Sequence, residues 1–313
     1  MPDFAPRISL IIPTHNRMRK LAKCLEAASS IKTSEPWELI VVDNASTDGT
    51  GEFLEDLVRN WTIPMRIVHV PSPGASRARN AGIEAARGEL LIFIDDDCYV
   101  QPDIIDEYCK VFEDPALGFA GGRMLLHDPT DFPLTINETA AEKRFPAGRA
   151  IPCGMIQSGN LAIRRRVLEA VGGFDTRLGP ATPVFSAEDW ELIARIGASG
   201  WAGGYFPGPT VAHDHGRKHQ EARRRIYEYN LGIGAVYSML IRDPRTRRIY
   251  TTHILRRVLG DMKHRRAKIV TELYGAFLFS KCYKPYRLAP IPFGSDMKGR
   301  LGSGKDLVGE KNG

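Results

Sequence analysis

The sequence predicts an α/β fold: a mostly parallel sheet flanked by helices, followed by a basic helical extension. Three observations predict it. Fully apolar runs alternate with amphipathic stretches through the first hundred or so residues. Polar residues gather at the C-terminal ends of those runs. From about Gln220 onward the pattern is helical and rich in Arg and Lys. Apolar strands separated by helices need crossover connections, which make neighbouring strands parallel and cover both faces of the sheet.

The alternation opens with "ISLIIP", an apolar run closed by Pro13. "MRKLAKCLEAASSI" follows, with Leu21, Cys24, Leu25 and Ala28 spaced along one helix face. "ELIVVD" is the second strand and "GEFLEDLVRN" the second helix, then "MRIVHV" is the third strand. "ASRARNAGIEAA" reads as a helix with Gly88 as its stop signal, and "ELLIFID" is the fourth strand. Beyond about residue 120 the alternation weakens. "SGNLAIRRRVLEAVGGFD" predicts a strand, a short helix and a turn. "SAEDWELIARIGASGW" predicts a helix beginning near Glu188, with Ser186 or Ala187 at its start. "VAHDHGRKH" follows a short strand, and the tail from Pro290, with its Gly, Lys and Ser, predicts disorder.

Apolar residues make up 43% of the 313, enough for a sizeable core. The formal net charge of +6 is unevenly spread. Basic clusters fall at 223–225, 247–248, 256–257 and 263–266, among few acids: Glu221, Glu228, Asp243 and Asp261. Such a segment suits a polyanion, either a nucleic acid or an anionic membrane surface; a solvated helical face is the plain alternative. The five cysteines are scattered without C-x-x-C spacing, which argues against a disulfide framework and against a zinc site. "MPDFAPR" shows no signal pattern, and no apolar run reaches the ~18–20 residues that span a bilayer. The expectation is a cytoplasmic protein, or one held peripherally on the cytosolic face of a membrane.

Ligands of parallel sheets sit beyond the C-terminal strand ends. Here those ends carry "PTHNR", "DNASTDGT" and "DDDC". Asp95, Asp96 and Asp97 repel one another, so the cluster needs a reason. A solvated turn or a helix cap would serve; so would a divalent cation held at a strand end. The convergence of three polar strand ends favours the cation. Asp43 can accept hydrogen bonds from a base or ribose, although a turn capping the next helix would explain it singly. Arg77 and Arg79 lie near the start of a helix whose N-terminus could help hold phosphate. Together these parts describe a nucleoside-diphosphate site with a metal.

At this point the chain resembles the family 2 glycosyltransferases, which have the GT-A fold. "SLIIPTHNR", "ELIVVDNASTDGT", "GASRARNAGIEAARGE" and "LIFIDDDC" are similar to that family's successive motifs, and "GNLAIRRRVLEAVGGFD" and "AEDWELIARIGASGW" to its acceptor-side motifs, over about residues 7–215. The resemblance implies a nucleotide-sugar donor, expected to be a UDP-sugar, a divalent cation (Mn2+ or Mg2+) and inversion at the anomeric carbon. It places polysaccharide biosynthesis at the cell envelope within the expected roles, with a glycan or lipid-linked acceptor. It divides the chain into a transferase domain over 1–216, with a nucleotide half to about 120 and an acceptor half after it. A basic helical region over 217–289 and the tail from 290 to 313 follow.

By the resemblance, Pro13, Thr14, Asn16 and Arg17 line the nucleotide pocket. Asp43 contacts the base, with Asn44 and Ser46 nearby, and Asn80 with Arg77 lies near the ribose and diphosphate. Asp95 and Asp97 match the family's D-x-D and are the expected metal ligands, Asp97 foremost, with Asp95 and Asp96 also beside the nucleotide sugar; Asp96 is an extra aspartate that leaves the division of labour open. Asp189 in "AEDW" matches the general base, which takes the acceptor proton. Two acids favourably placed in a first helical turn are the structural alternative for Glu188 and Asp189. His213 is expected as a further metal ligand, with His215 competing for the role. Asn160, Glu188 and Trp190 fall on the acceptor and donor-sugar side; Phe174, Trp190 and Trp201 could stack on sugars, although such aromatics are more often core.

A dinucleotide enzyme would need G-x-G-x-x-G where this chain has "PTHNR". A nucleic-acid partner is not expected, because it would leave the aspartates unexplained. The remaining alternative is a non-catalytic nucleotide-sugar or polyanion-binding protein on the same fold. For the basic helices the expectation is contact with an anionic membrane, with "LGIGAVYSMLI" and "YGAFLF" entering the interface beside Arg223, Arg224 and Arg225.

Overall fold

The computed structural model describes residues 5–261 and 266–283; the tail from Pro290 lies outside the described residues. The first half runs β1 (Ile8–Thr14), α1 (Met18–Ser29), β2 (Trp37–Asp43), α2 (Thr50–Val58), β3 (Met65–His69), α3 (Ala75–Ala85) and β4 (Leu90–Ile94). These four strands are parallel and lie in the order β3-β2-β1-β4. Side chains alternate across each strand. Ile11, Ile40, Val42, Leu91 and Phe93 enter one core, and Leu10, Ile12, Leu39, Val41, Ile92 and Ile94 the other. Burial on both faces is why these runs are apolar throughout.

The second half adds β5 (Cys98–Val100), α4 (Ile104–Val111), β6 (Leu117–Leu126), β7 (Lys143–Phe145), β8 (Asn160–Arg164), α5 (Arg165–Val171), α6 (Glu188–Ala198) and β9 (Ala202–His213). The sheet continues past β4 as β8-β6-β9-β5, with β7 also on β9. Its antiparallel pairs all fall here: β4 with β8, β6 with β8, β5 with β9 and β7 with β9. This is the stretch where the regular alternation of the sequence weakens. β9 is 12 residues long, against the short strand expected before His213.

Two glycines set close approaches. A Cβ on Gly82 would stand 2.4 Å from Ile11, so α3 lies directly on β1. A Cβ on Gly88 would stand 2.6 Å from the backbone of Ile8 and Ser9; its role is a tight crossing over β1, beyond that of a helix stop.

Three helices follow: α7 (His219–Arg242), α8 (Arg247–Asp261) and α9 (Arg266–Cys282). Tyr237 of α7 and Tyr250 of α8 pack edge-on against Trp190 of α6, with ring centroids at 4.8 and 6.3 Å. α7 and α9 cross where Gly234 meets the backbone of Glu272 and Gly275 that of Leu231. The "LGIGAVYSMLI" segment is therefore interior. Leu231, Ala235, Val236, Met239 and Leu240 are all buried, which corrects the expectation that it enters a membrane.

Candidate functional site

Parallel pairing brings the ends of β1, β2 and β4 to one edge, and the loops after β1 and β2 are tied together there. The Asn16 amide N–H donates to Ser46 Oγ (3.0 Å), and the Thr47 N–H to Asn16 Oδ1 (2.7 Å). Asn16 adopts a φ of 54°, the left-handed conformation asparagine tolerates. Asp43 accepts from the Ser46 N–H at 3.1 Å and lies 3.3 Å from His69 Nδ1. A polar, open cleft of ≈ 340 Å³ lies here, lined by Asp43, Ser46, Thr47, Gly49, Gly51, Glu52, Glu55 and His69. Asn44 is buried beside it, and its Oδ1 has no partner within the protein.

The three aspartates after β4 have three different settings. Asp96 is buried; it accepts from Thr14 Oγ1 (2.7 Å) and Arg17 Nη1 (3.0 Å). Asp97 receives the same Arg17 nitrogen at 2.6 Å, and its other oxygen lies 3.4 Å from His213 Nε2. Asp95 points elsewhere, to Arg79 Nη2 at 2.7 Å. His213 reaches Asp97 through sheet register: β5 pairs antiparallel with β9, Cys98 opposite His213. The Asp214 N–H donates to the Asp97 carbonyl at 2.8 Å and secures the same junction.

Arg79 extends the cluster. It is buried on α3, and its Nη1 donates to Glu188 Oε1 at 3.0 Å. Glu188 and Asp189 open α6, where the positive end of the helix favours carboxylates. Asp189 accepts from the Ser158 N–H at 3.1 Å and the Trp190 N–H at 2.7 Å. Ala187 turns the chain into this helix with a φ of 73°, a left-handed conformation costing about 1 kcal/mol or more in alanine.

Asp97 is tuned in the opposite direction to Asp96, Glu188 and Asp189. Burial would raise the Asp97 pKa, but the His213 hydrogen bond and the charges of His213 and Arg17 outweigh it, and the net shift is downward. Asp96 is raised to about 6, chiefly by burial, with Arg17 opposing and Asp97 adding to it. Glu188 and Asp189 are both raised, chiefly by burial, against Arg79 for Glu188 and against the Ser158 N–H and Arg79 for Asp189.

The residues fit a divalent cation. The Asp97 carboxylate, His213 imidazole and Cys98 thiol have ligand atoms within 4.8 Å of one another. His213 Nδ1 lies 3.3 Å from Thr135 Oγ1, which orients the ring with Nε2 toward Asp97, as a metal-binding histidine needs. Burial and the nearby aspartates keep the Cys98 thiol protonated, so the donors on offer are the hard oxygen and the nitrogen.

The sequence profile of Glycosyl transferase family 2 matches residues 9–172, more than half of the chain. The chain belongs to this family. Glycosyltransferase AglE of Haloferax volcanii is 28% identical over 185 residues, 57% of this chain and 59% of that protein; the chain thus spans well under the full length of this relative. The mannosyltransferase PcManGT of Pyrobaculum calidifontis, solved with GDP-Man and Mn2+, superposes with a TM-score of 0.63 at 19% identity, covering 92% of this chain and 78% of that one. S. aureus TarS, solved with UDP-GlcNAc, gives 0.62 at 15% identity, covering 88% and 81%. The fold is thus the GT-A type of these transferases.

Within this family 2 domain the structure sorts the expected residues. Thr14, Asn16, Arg17, Asp43, Asn44, Ser46, Asp95, Asp97, Glu188 and Asp189 gather at or beside the strand-end cluster, with Pro13 at the end of β1. Four are elsewhere. Arg77 is exposed, its guanidinium turned back to the Pro73 carbonyl at 3.1 Å. The Asn80 amide clamps the backbone of Phe174, at 2.9 and 2.8 Å. Asn160 is buried in β8 and bonds Tyr108 Oη and the Arg123 and Pro209 carbonyls. Trp190 is core, its indole N–H donating to the Ile151 carbonyl at 2.9 Å. Phe174 is core as well, packed on Phe93. His215 accepts from the Arg217 N–H at 2.9 Å and faces Asp131, so His213 is the histidine beside Asp97.

Cys98 was not among the expected site residues, and Arg79 was expected only beside a helix N-terminus that could help hold phosphate. The signal for Arg79 was present: Ser76, Arg79, Gly82 and Ile83 share the helix face turned to the sheet, whereas Arg77 does not. Nothing in sequence spacing could pair Cys98 with a residue 115 positions later.

Proposed function

We propose that this chain transfers a sugar from a nucleoside-diphosphate sugar to a hydroxyl of a glycan or lipid-linked acceptor, with inversion. The observation that supports it most is the buried Arg79, which ties Asp95 at the end of β4 to Glu188 beside Asp189. It joins the aspartates at that strand end, suited to a divalent cation that would meet a diphosphate, to a pair of carboxylates with raised pKa, suited to taking a proton. In this reading Thr14, Asn16, Arg17, Asp43, Asn44 and Ser46 hold the nucleotide, and Asn44 Oδ1 gains the partner it lacks. Asp189 accepts the acceptor hydroxyl proton as the oxygen attacks the anomeric carbon; burial makes it a stronger base than an exposed aspartate. Arg79 holds Glu188 in place beside it. A divalent cation bound by Asp97 and His213 would offset the charge building on the departing diphosphate. Attack and departure on opposite faces need no covalent intermediate.

UDP-sugars are the first donors to test, and the GDP-Man and UDP-GlcNAc held by neighbours of the same fold widen the panel. Incubation with UDP-, GDP- and dTDP-sugars in Mn2+ or Mg2+, following release of the nucleoside diphosphate, should single out one donor. Binding of one donor without release, with acceptor glycans present, would favour the non-catalytic alternative.

A further inference from the structure

Among the described residues no helix is long and apolar enough to cross a membrane. Yet α9 is apolar on both sides. Its inner side carries Gly275 and Phe279, packed on the rest of the protein. Its outer side carries Val270, Leu273, Tyr274 and Phe277, which are 47–66% exposed. These four fall at i, i+3, i+4 and i+7, a single stripe. Leu255 and Leu259 of α8 form a second stripe, 58% and 72% exposed. A helix apolar all round is normally covered on every side, and isolated surface leucines need no account, but two continuous stripes do.

The charges around the stripes point to what covers them. On α8, Arg248 lies in line with Leu255 and Leu259 by helical period, with Arg247 and Arg256 flanking; all three are exposed. On α9, exposed Lys281 continues the stripe one turn beyond Phe277. Glu272 of α9 is buried and paired with Arg257. A second copy docking face to face would set arginines against arginines, with Glu272 already taken. A layer of anionic headgroups over acyl chains meets both features: the stripes enter the apolar layer while Arg and Lys reach the phosphates.

We propose that the outer face of α8 and α9 docks on an anionic lipid monolayer. This goes beyond the transfer reaction and does not depend on it. It also relocates the basic contact expected from sequence. Arg224 and Arg225 of α7 are paired with Glu228, and the apolar run of α7 is interior, so α8 and α9 carry the surface.

The test is co-sedimentation of the full chain with vesicles, without nucleotide sugar. Phosphatidylcholine vesicles containing roughly one-third phosphatidylglycerol should pellet the protein at low salt, and pure phosphatidylcholine far less. Leu273→Glu with Phe277→Glu should lower partitioning at least about tenfold, with an unchanged thermal melting curve because both side chains face solvent. Arg248→Glu with Arg256→Glu should weaken binding several-fold at low salt and flatten its salt dependence. Absence of pelleting with the anionic vesicles, or equal pelleting of wild type and the Leu273/Phe277 variant, overturns the proposal. A wild-type dimer that Phe277→Glu converts to monomer, seen by sedimentation velocity, overturns it by assigning the face to a second copy.

Discussion

Asp97 after β4 and the acidic pair opening α6 carry the same carboxyl group but are held in opposite ways. Asp97 meets Arg17 and His213 and is driven toward the ionised form. Glu188 is buried like Asp97 and Asp189 is half-buried, but the pair shares one guanidinium and a few N–H groups, so burial wins and the proton is retained to higher pH. The difference teaches that the count of cations within reach, more than depth, sets the chemistry of a buried acid. A carboxylate kept charged suits a cation; one with raised affinity for a proton suits a base.

The sharpest break in this comparison is Asp189→Asn, which keeps the shape and removes the basicity. Transfer should fall ~10²–10⁴-fold with donor affinity little changed; an active variant moves the role to Glu188. In the unmodified enzyme, a base with raised pKa is protonated as pH falls through that value. The rate should therefore drop about tenfold per pH unit on the acid side, from a limb above the range of exposed aspartates, with Glu188 and Asp189 titrating as a pair.

Asp97→Ala tests the other side. Groups that merely support a metal ligand are worth ~10–100-fold in affinity, so loss of a ligand should cost at least as much. Donor affinity measured by calorimetry should then be the same in Mn2+ and in chelator. A retained metal effect would point to another ligand set.

Arg79→Met removes the cation common to both clusters. Unfolding in urea should show a loss of about 3 kcal/mol, the low end for breaking a buried pair. Asp95 is 32% exposed, and Glu188 can take up a proton, so the full penalty is not reached. Unchanged stability would mean that the two clusters are not coupled through this side chain.

The smallest effect is expected from Asp96→Asn. Its pKa, raised to about 6, means the pocket tolerates the neutral form, and an amide can keep the contacts with Thr14 or Arg17. Stability should change by no more than about 1 kcal/mol, and metal dependence should persist. A large loss of metal-dependent binding would return Asp96 to the cation site.

By itself the sequence determined the parallel half of the sheet, since only strands covered on both faces need runs such as "ISLIIP" and "ELLIFID". It also determined that polar strand ends share one edge, and that Glu188 and Asp189 open a helix. Tertiary structure decided the partners. Arg79 rather than Arg77 turns inward because Gly82 lets α3 lie on β1. His213 rather than His215 meets Asp97 because β5 and β9 pair in one register. Asn80, Asn160 and Trp190 hold the frame because backbone carbonyls and amides come to them from distant segments. "LGIGAVYSMLI" lies inside because α6, α8 and α9 close over α7. Periodicity along a chain reports which side of an element is apolar; what that side meets depends on contacts between residues far apart in sequence, and these exist only once the chain has folded.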